Sequence, residues 1–514
     1  MPIPDELSEL AAAVLQPGFE GTTVPGWVRR WLGEGLGGVA LFARNVESPA
    51  QVAALTAQLR AERPDVIVAI DEEAGDVTRF ESRQGSSRPG NLGLGSIDDV
   101  ELTGAVARDL GLDLAHAGIT LDYAPDTDVN NNPDNPIIGV RAFGADPALV
   151  ARHGAAWIRG LQDAGVAACA KHFPGHGDTA VDSHHDVPVI GHDLARLREV
   201  ELVPFQAAIA AGVRSIMTGH LVVPALDPEL PATLSRRILT GLLREELGFT
   251  GLIVTDGIEM QGVRRKYGLE GATVRALAAG ADAICVGGDH ADEHTAIRLR
   301  DAIVAAVRAG DLPEERLRDA AARVRELATW TVGMRARTVT PGTAVAGPSA
   351  VGRAAARRAL KATATTDAPA LPLRVPAHVV EFAPPRNIAI GAETPWGVGA
   401  PLSRLLPGTT SVRLSADDLA GITDPAAPVL AGATGRPLVL VVRDVHRHPW
   451  IADAVAATLD VRPDAIVIEM GVPVAVSGGL HLATHGATSA CGEAAAELLA
   501  GAAVPEPAEQ ALAA

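Results

Sequence analysis

Short apolar runs alternate with longer amphipathic stretches from the N-terminal region to about Arg325. The runs Gly38–Ala43, Val66–Ile70, Ile119–Ala124, Val166–Ala170, Ser215–Thr218, Leu252–Thr255 and Ala283–Val286 are short and bounded by polar or turn-forming residues, which predicts strands. Between them, Pro49–Glu62, Asp193–Ala211 and Arg236–Leu247 read as helices. Apolar strands alternating with helices give the rhythm of a parallel sheet. Each predicted strand is followed by polar residues: Arg44 and Asn45, then Asp71, Glu72 and Glu73, then Asp126 and Asp128, Lys171 and His172, His220, Asp256, and Asp289. A β/α barrel collects functional groups at the C-terminal ends of all its strands, whereas a doubly wound sheet gathers them at one switch point. Seven polar strand ends therefore predict a TIM-type (β/α)8-like barrel over residues 1–335, with the eighth strand not placed by the pattern.

Beyond the barrel the composition shifts, and residues 336–375 read as a linker region. TVTPGTAVAGPSA is a connector, AVGRAAARRALKA a basic helix and TATTDAPALPLRVP a loop. A second alternating series follows at Asn387–Ile390, Ser411–Leu414, Leu438–Val442 and Ala465–Glu469, with helices at Trp450–Leu459 and Cys491–Ala500. It predicts a smaller α/β domain over 376–514, ending in the frayed tail EPAEQALAA.

A chain of 514 residues is too long for one core, and with 47% hydrophobic but 3% aromatic residues its cores must be aliphatic and alanine-rich. The net charge of −18 argues against nucleic acid and against anionic membrane surfaces, which both require clustered basic charge. Cys169, Cys285 and Cys491 are odd in number and far apart, so they frame neither disulfides nor a zinc knuckle; Cys169 and Cys285 read as buried small hydrophobes. The N-terminal stretch MPIPDELSELAAAVLQPGF has no basic region before an apolar run, and the expected location is cytoplasmic. Oligomeric state is not legible.

The candidate chemistry concentrates in KHFPGHGDTAVDSHHDVP, Lys171–Pro188. His172 and His176 have the i, i+4 spacing of a zinc pair, but Pro174 and Gly175 break the helix that such a pair needs. Asp182 stands two residues before His184, so on a turn its carboxylate can hold one ring nitrogen and tune the imidazole as an acid/base; a turn-capping Asp182 fits the spacing equally. Asp256, at the end of GLIVTD, sits where a barrel strand aims a nucleophile into the mouth, or where a carboxylate caps the next helix. Asp71, Arg79, Arg141 and Lys171 add a carboxylate and three cations suited to sugar hydroxyls or a charged group, or to structural ion pairs. VRDVHRHPW (Val442–Trp450) and HLATHG (His481–Gly486) fit a ligand contact and plain surface loops about equally.

Taken together these segments resemble glycoside hydrolase family 3, in its β-N-acetylhexosaminidase branch. The pattern K-H-F-P-G-H-G-x(4)-D-S-H matches Lys171–His184 without a gap, and DEEAGDVTRF, NPDNPIIGVRAFG, PATLS (Pro231–Ser235) and VTDGIEM follow the family's order. The resemblance covers about residues 5–335 well; the C-terminal part resembles the α/β domain of many members through weak motifs. It implies a TIM-type barrel, a nucleophile at Asp256, an acid/base at His184 held by Asp182, and a sugar gripped by Asp71, Arg79, Arg141, Lys171 and His172. It implies no metal and no organic cofactor. Three positions depart from the family: Glu73-Ala74-Gly75 replaces E-G-G, Gly257 stands where a second acidic residue is common, and His185 adds an imidazole.

The implied activity is a retaining exo-β-N-acetylglucosaminidase, acting on a small carbohydrate such as a muropeptide or chitooligosaccharide, with peptidoglycan recycling as the role. Asp256 would attack the anomeric carbon while His184 protonates the leaving oxygen, and water activated by His184 would release the sugar. A neutral imidazole does not repel anions, so a phosphorylase using phosphate as acceptor is an alternative, as is a non-catalytic sugar-binding protein on the same fold. A β-glucosidase of the same family would lack the D-S-H element.

Overall fold

The computed structural model describes residues 6–179, 187–338, 347–385, 387, 389–391 and 393–502. Two compact units share the chain. The first comprises residues 1–73, 103–138 and 144–347; the second comprises 74–102, 139–143 and 348–514. The units thus interleave along the sequence, whereas the composition expects consecutive segments at 1–335, 336–375 and 376–514.

Among its described residues the first unit holds eight short strands: β1 (Leu15–Pro17), β2 (Gly38–Leu41), β3 (Ile67–Ile70), β4 (Leu121–Asp122), β5 (Ala167–Phe173), β6 (Ser215–Thr218), β7 (Leu252–Thr255) and β8 (Ile284–Val286). β2 to β7 form one parallel sheet in sequential order, and β1 pairs with β8 in parallel. Val254 and Ala283 bridge β7 to β8. Strand β1 is the eighth strand that the pattern did not place: three residues, LQP, are too short to register as a periodic run. It runs close beside β2, since a Cβ on Gly37 would stand 2.0 Å from the Ala13 carbonyl oxygen.

Small side chains fill the interior, as a short-strand barrel requires. Ala40, Ala69, Ala167, Cys169, Ala283 and Cys285 join Ile67, Leu121, Leu252 and Val254 in one buried cluster. Tyr123 lies within it and donates its hydroxyl to Gln16 Oε1 at 2.6 Å. All three cysteines are buried and free.

Helix Pro49–Glu62 has the predicted bounds: Ser48 accepts from Gln51 N at 3.2 Å and Pro49 occupies the first helical position. The predicted helix 193–211 divides into Leu194–Glu199 and Leu202–Ala210. Pro204 has no N–H to return to the Val200 carbonyl, which marks a new first turn and isolates Glu201 at the break. Arg237–Glu246 is wound as a π-helix.

In the second unit, β9 (Lys361–Ala364), β10 (His378–Phe382), β11 (Thr410–Leu414), β12 (Leu438–Val442), β13 (Ile466–Glu469) and β14 (Leu480–Ala483) order as β11-β10-β12-β13-β14-β9. All pairs are parallel except β14–β9. Each face is buried: Val379, Val439, Val441, Ile466 and Ile468 pack on one side, Val380, Phe382, Leu440, Val442 and Val467 on the other. Two sequence expectations need correction here. Among the described residues of Asn387–Ile390 there is no strand: Asn387 Oδ1 accepts from Ala389 N at 2.9 Å and the Asn387 carbonyl accepts from Ile390 N at 3.0 Å. The strand lies earlier, at His378–Phe382, and the expected loop 363–376 begins inside β9. The basic helix forms over Ala350–Ala359; Arg357 makes a two-pronged bond to Glu497 and Arg358 reaches Asp99. Among the described residues no helix is long and apolar enough to cross a membrane.

Candidate active site

The strand ends of the first unit hold three linked groups. Strand β5 runs on beside Pro125–Thr127, where Lys171 N donates to the Pro125 carbonyl at 3.2 Å and Thr127 N to the Lys171 carbonyl at 2.7 Å. This fixes Lys171, 2% exposed, against the end of β3. Its Nζ pairs with Asp71 Oδ1 and, at 2.7 Å, with Glu73 Oε1. Below them Asp122 Oδ1 accepts from Glu72 N at 2.9 Å. Burial holds the Asp122 carboxyl well above the usual carboxylate range.

His172 forms the second group. Its Nδ1 donates to Asp128 Oδ2 at 2.8 Å, and Asp128 Oδ1 also accepts from the backbone N–H of His172 and of His176. A carboxylate on Nδ1 fixes the tautomer and the ring plane. Asp126 Oδ1 in turn accepts from Asp128 N at 2.9 Å. Asp126, Asp128 and His172 lie close enough to hold a metal, but Asp128 is already engaged by three N–H donors. Their arrangement serves the imidazole.

The third group surrounds Asp256, which leaves the fully buried strand LIVT half-exposed. Its backbone N–H donates to the Thr218 carbonyl at 3.2 Å, and its Oδ1 accepts from Gly257 N at 2.7 Å. His220, fully buried, sits between Thr233 Oγ1 at 2.8 Å and the Gly257 carbonyl at 2.9 Å. The carbonyl can only accept, so Nε2 carries hydrogen there and His220 clamps the residue after Asp256. Glu259 Oε1 accepts from Gly287 N at 2.9 Å and from Gly288 N, tying the end of β8 to the same turn. Asp256 and Asp71 both bear on one thiol: burial first, then Glu259, Asp256 and Asp71, push Cys285 well above its ordinary range. The carboxylates of β3 and β7 therefore share one barrel end.

Of the residues singled out from sequence, Asp71, Lys171, His172 and Asp256 belong to this unit. Arg79 and Arg141 belong to the second unit, where Arg79 Nη1 donates to the Ala389 carbonyl at 2.8 Å and the Arg141 carbonyl accepts from Asn91 at 2.7 Å. Asp182 and His184 lie outside the described residues. Glu73 and Asp128 were visible only as strand-end polar residues; nothing local marked them as partners of Lys171 and His172. Glu259 lies within the motif VTDGIEM, but no role was read for it because it sits past the strand end. Ala74 adopts φ 56°, so the methyl that replaces the family's glycine is held in the left-handed region at roughly 1 kcal/mol. In the second unit, His485 is buried against the Ala359 carbonyl at 3.0 Å and burial lowers it to about 4, which marks it as a structural imidazole.

Lys171→Met is expected to strand Glu73, 3% exposed, beside Asp71 without its cation. Removing one partner of a buried pair costs about 3–5 kcal/mol. Denaturant unfolding measures it; a loss below about 1 kcal/mol would show that this pair behaves as a surface pair.

A β/α barrel with carboxylates, an ammonium and a carboxylate-held imidazole at its strand ends has the make-up of a glycoside hydrolase. Comparison supplies the particular family. Residues 28–327 match the glycosyl hydrolase family 3 N terminal domain, and the chain belongs to that family. A beta-hexosaminidase of Nitrosomonas eutropha is 39% identical over 268 residues, spanning 50% of this chain and 76% of that protein. Beta-hexosaminidase A of Pseudoalteromonas piscicida is 39% identical over 269 residues, 48% of this chain; the chain spans 45% of that relative's length. Among solved structures, a family 3 beta-N-acetylglucosaminidase from Paenibacillus sp. superposes with a TM-score of 0.84 at 32% identity, covering 97% of both chains. The protein is a glycoside hydrolase on a TIM-type barrel.

Proposed function

We propose that the chain is a retaining exo-β-N-acetylglucosaminidase that removes terminal N-acetylglucosamine from muropeptides or chitooligosaccharides. The observation that carries this reading is the ungapped pattern from Lys171 to His184, which begins within β5, in a barrel whose β7 is followed by Asp256. Asp256 is the nucleophile and His184, held by Asp182, the acid/base. Asp71, Lys171 and His172 bind the sugar. Arg79 and Arg141 remain sugar-binding candidates on the strength of their motifs. The names of the relatives support the hexosaminide as substrate. Three free, buried cysteines suit a reducing compartment, so the cytoplasm and the recycling of peptidoglycan fragments are the assigned setting.

A panel of chitobiose, N-acetylglucosaminyl-anhydromuropeptide and aryl glycosides tests the assignment. The expected result is release of N-acetylglucosamine as the β-anomer first, followed by NMR. An α-anomer or glucose-only hydrolysis overturns it. Running the panel in phosphate separates the phosphorylase alternative, which yields N-acetylglucosamine 1-phosphate.

A further inference from the structure

Asp178, His192 and Glu201 form a cluster that includes none of the residues assigned to the sugar. One ligand atom from each lies within 4.8 Å of the others, and His192 Nε2 contacts Asp178 Oδ2. Three separate features of the chain hold them. Asp178 follows a segment pinned by Asn135, whose Nδ2 donates to the carbonyls of His176 at 2.9 Å and Gly177 at 3.0 Å. Gly177 itself lies so close to residue 129 that a Cβ would stand 1.7 Å from the Val129 carbonyl oxygen. Glu201 occupies the break between two helices, against Gly175, whose Cβ would stand 2.7 Å from that of Glu201. His192 comes from the other side of the segment that begins after Thr179, just before the helix cap Asp193.

Glu201 points to a ligand. It is 1% exposed, its Oε1 accepts from Asn131 Nδ2 at 3.3 Å, and its Oε2 is buried with no hydrogen-bond partner among the described residues. A buried carboxylate oxygen left without a donor is costly and calls for an explanation, an ion being one. Asp178 and His192 are partly exposed, which gives an ion a way in.

We propose that Asp178, His192 and Glu201 bind a divalent transition-metal cation of the zinc type, with water completing the coordination. One imidazole and two carboxylates form a donor set that zinc takes and that magnesium or calcium, which favour oxygen alone, do not. Tetrahedral bonds of about 2.0–2.2 Å put ligand atoms roughly 3.3–3.6 Å apart, so small side-chain rotations close the cluster on the ion. A 2+ charge offsets two carboxylates beside a neutral imidazole. Asp178 precedes Asp182 by four residues and His192 follows His184 by eight, so the ion ties both ends of the acid/base segment to Glu201. Its role is structural. The family resemblance implies no metal, and no i, i+4 pair or Cys/His knuckle signals this cluster, whose ligands are 14 and 9 residues apart.

The test uses the full chain dialysed against EDTA and titrated with Zn²⁺, read by calorimetry and by elemental analysis. About one equivalent per chain is expected. His192→Ala and Asp178→Asn are each expected to weaken binding on the order of 100-fold, and His172→Ala to leave it intact. Bound Co²⁺ should show the d–d absorption of low coordination, lost in His192→Ala. Circular dichroism melts of each metal-free variant confirm folding, and whichever of the two ligand variants folds decides the matter. Less than about a tenth of an equivalent, or affinity unchanged in the ligand variants, overturns the site; so does binding that disappears in His172→Ala but survives in His192→Ala. None of these readouts depends on glycosidase activity, so failure here leaves the functional assignment standing.

Discussion

Asp256→Ala is expected to reduce kcat on the order of 10⁵-fold for every β-N-acetylglucosaminide, whatever its leaving group. A retaining glycosidase needs a carboxylate at the anomeric carbon, and without one the covalent intermediate cannot form. The backbone around Asp256 is held from three sides: its own N–H by Thr218, its following residue by His220, and the neighbouring turn by Glu259. The carboxylate is therefore positioned before substrate arrives. Because the side chain is only partly buried, the variant should unfold like the parent. Added azide should restore turnover of an aryl glycoside in the variant and give the α-glycosyl azide, since the small anion attacks from the vacated face. Activity within tenfold of the parent, or no adduct on Asp256 with a slow substrate, would reject it as nucleophile.

Much of the barrel was legible because its strands end in chemistry. Seven apolar runs followed by polar residues reveal a parallel α/β frame without any tertiary information. β1 was not legible, for its three residues carry no period and only pairing with β8 defines them. The division of units was hidden for a different reason. Residues 74–102 lie within the span 1–335 expected to be barrel, yet Asp76 pairs with Arg443 at 2.6 Å and accepts from Ala487 N at 2.7 Å, and Ser86 accepts from Ala490 N at 3.1 Å. Bonds across 350 and more residues leave no trace in local composition. The same limit applies to the site. Lys171, His172 and Asp256 stand out at strand ends, whereas their partners Glu73 and Asp128 become partners only when β3, β4 and β5 come side by side.

His184→Ala is expected to cost about 10²–10⁴-fold in kcat/KM on chitobiose, the usual contribution of a positioned general acid/base. A sugar alkoxide is a poor leaving group and needs its proton in the transition state. A nitrophenolate does not, so the same variant should lose far less in glycosylation with an aryl substrate, and the intermediate on Asp256 should then accumulate because water lacks its base. A burst of nitrophenol followed by a slow steady state is the expected trace. The pH profile gives an independent reading. On the proposed assignment, activity requires Asp256 deprotonated and His184 protonated in the free enzyme, so kcat/KM should rise with pH as the carboxyl ionises and fall as the imidazole loses its proton. His184→Ala should remove the falling limb and keep the rising one. Asp182→Asn should move that limb to lower pH, because a carboxylate beside the ring favours the imidazolium and its amide does not. Equal losses on chitobiose and on the aryl glycoside, with the falling limb unchanged, would place the proton donor elsewhere in the chain and leave Asp182 and His184 as parts of a loop.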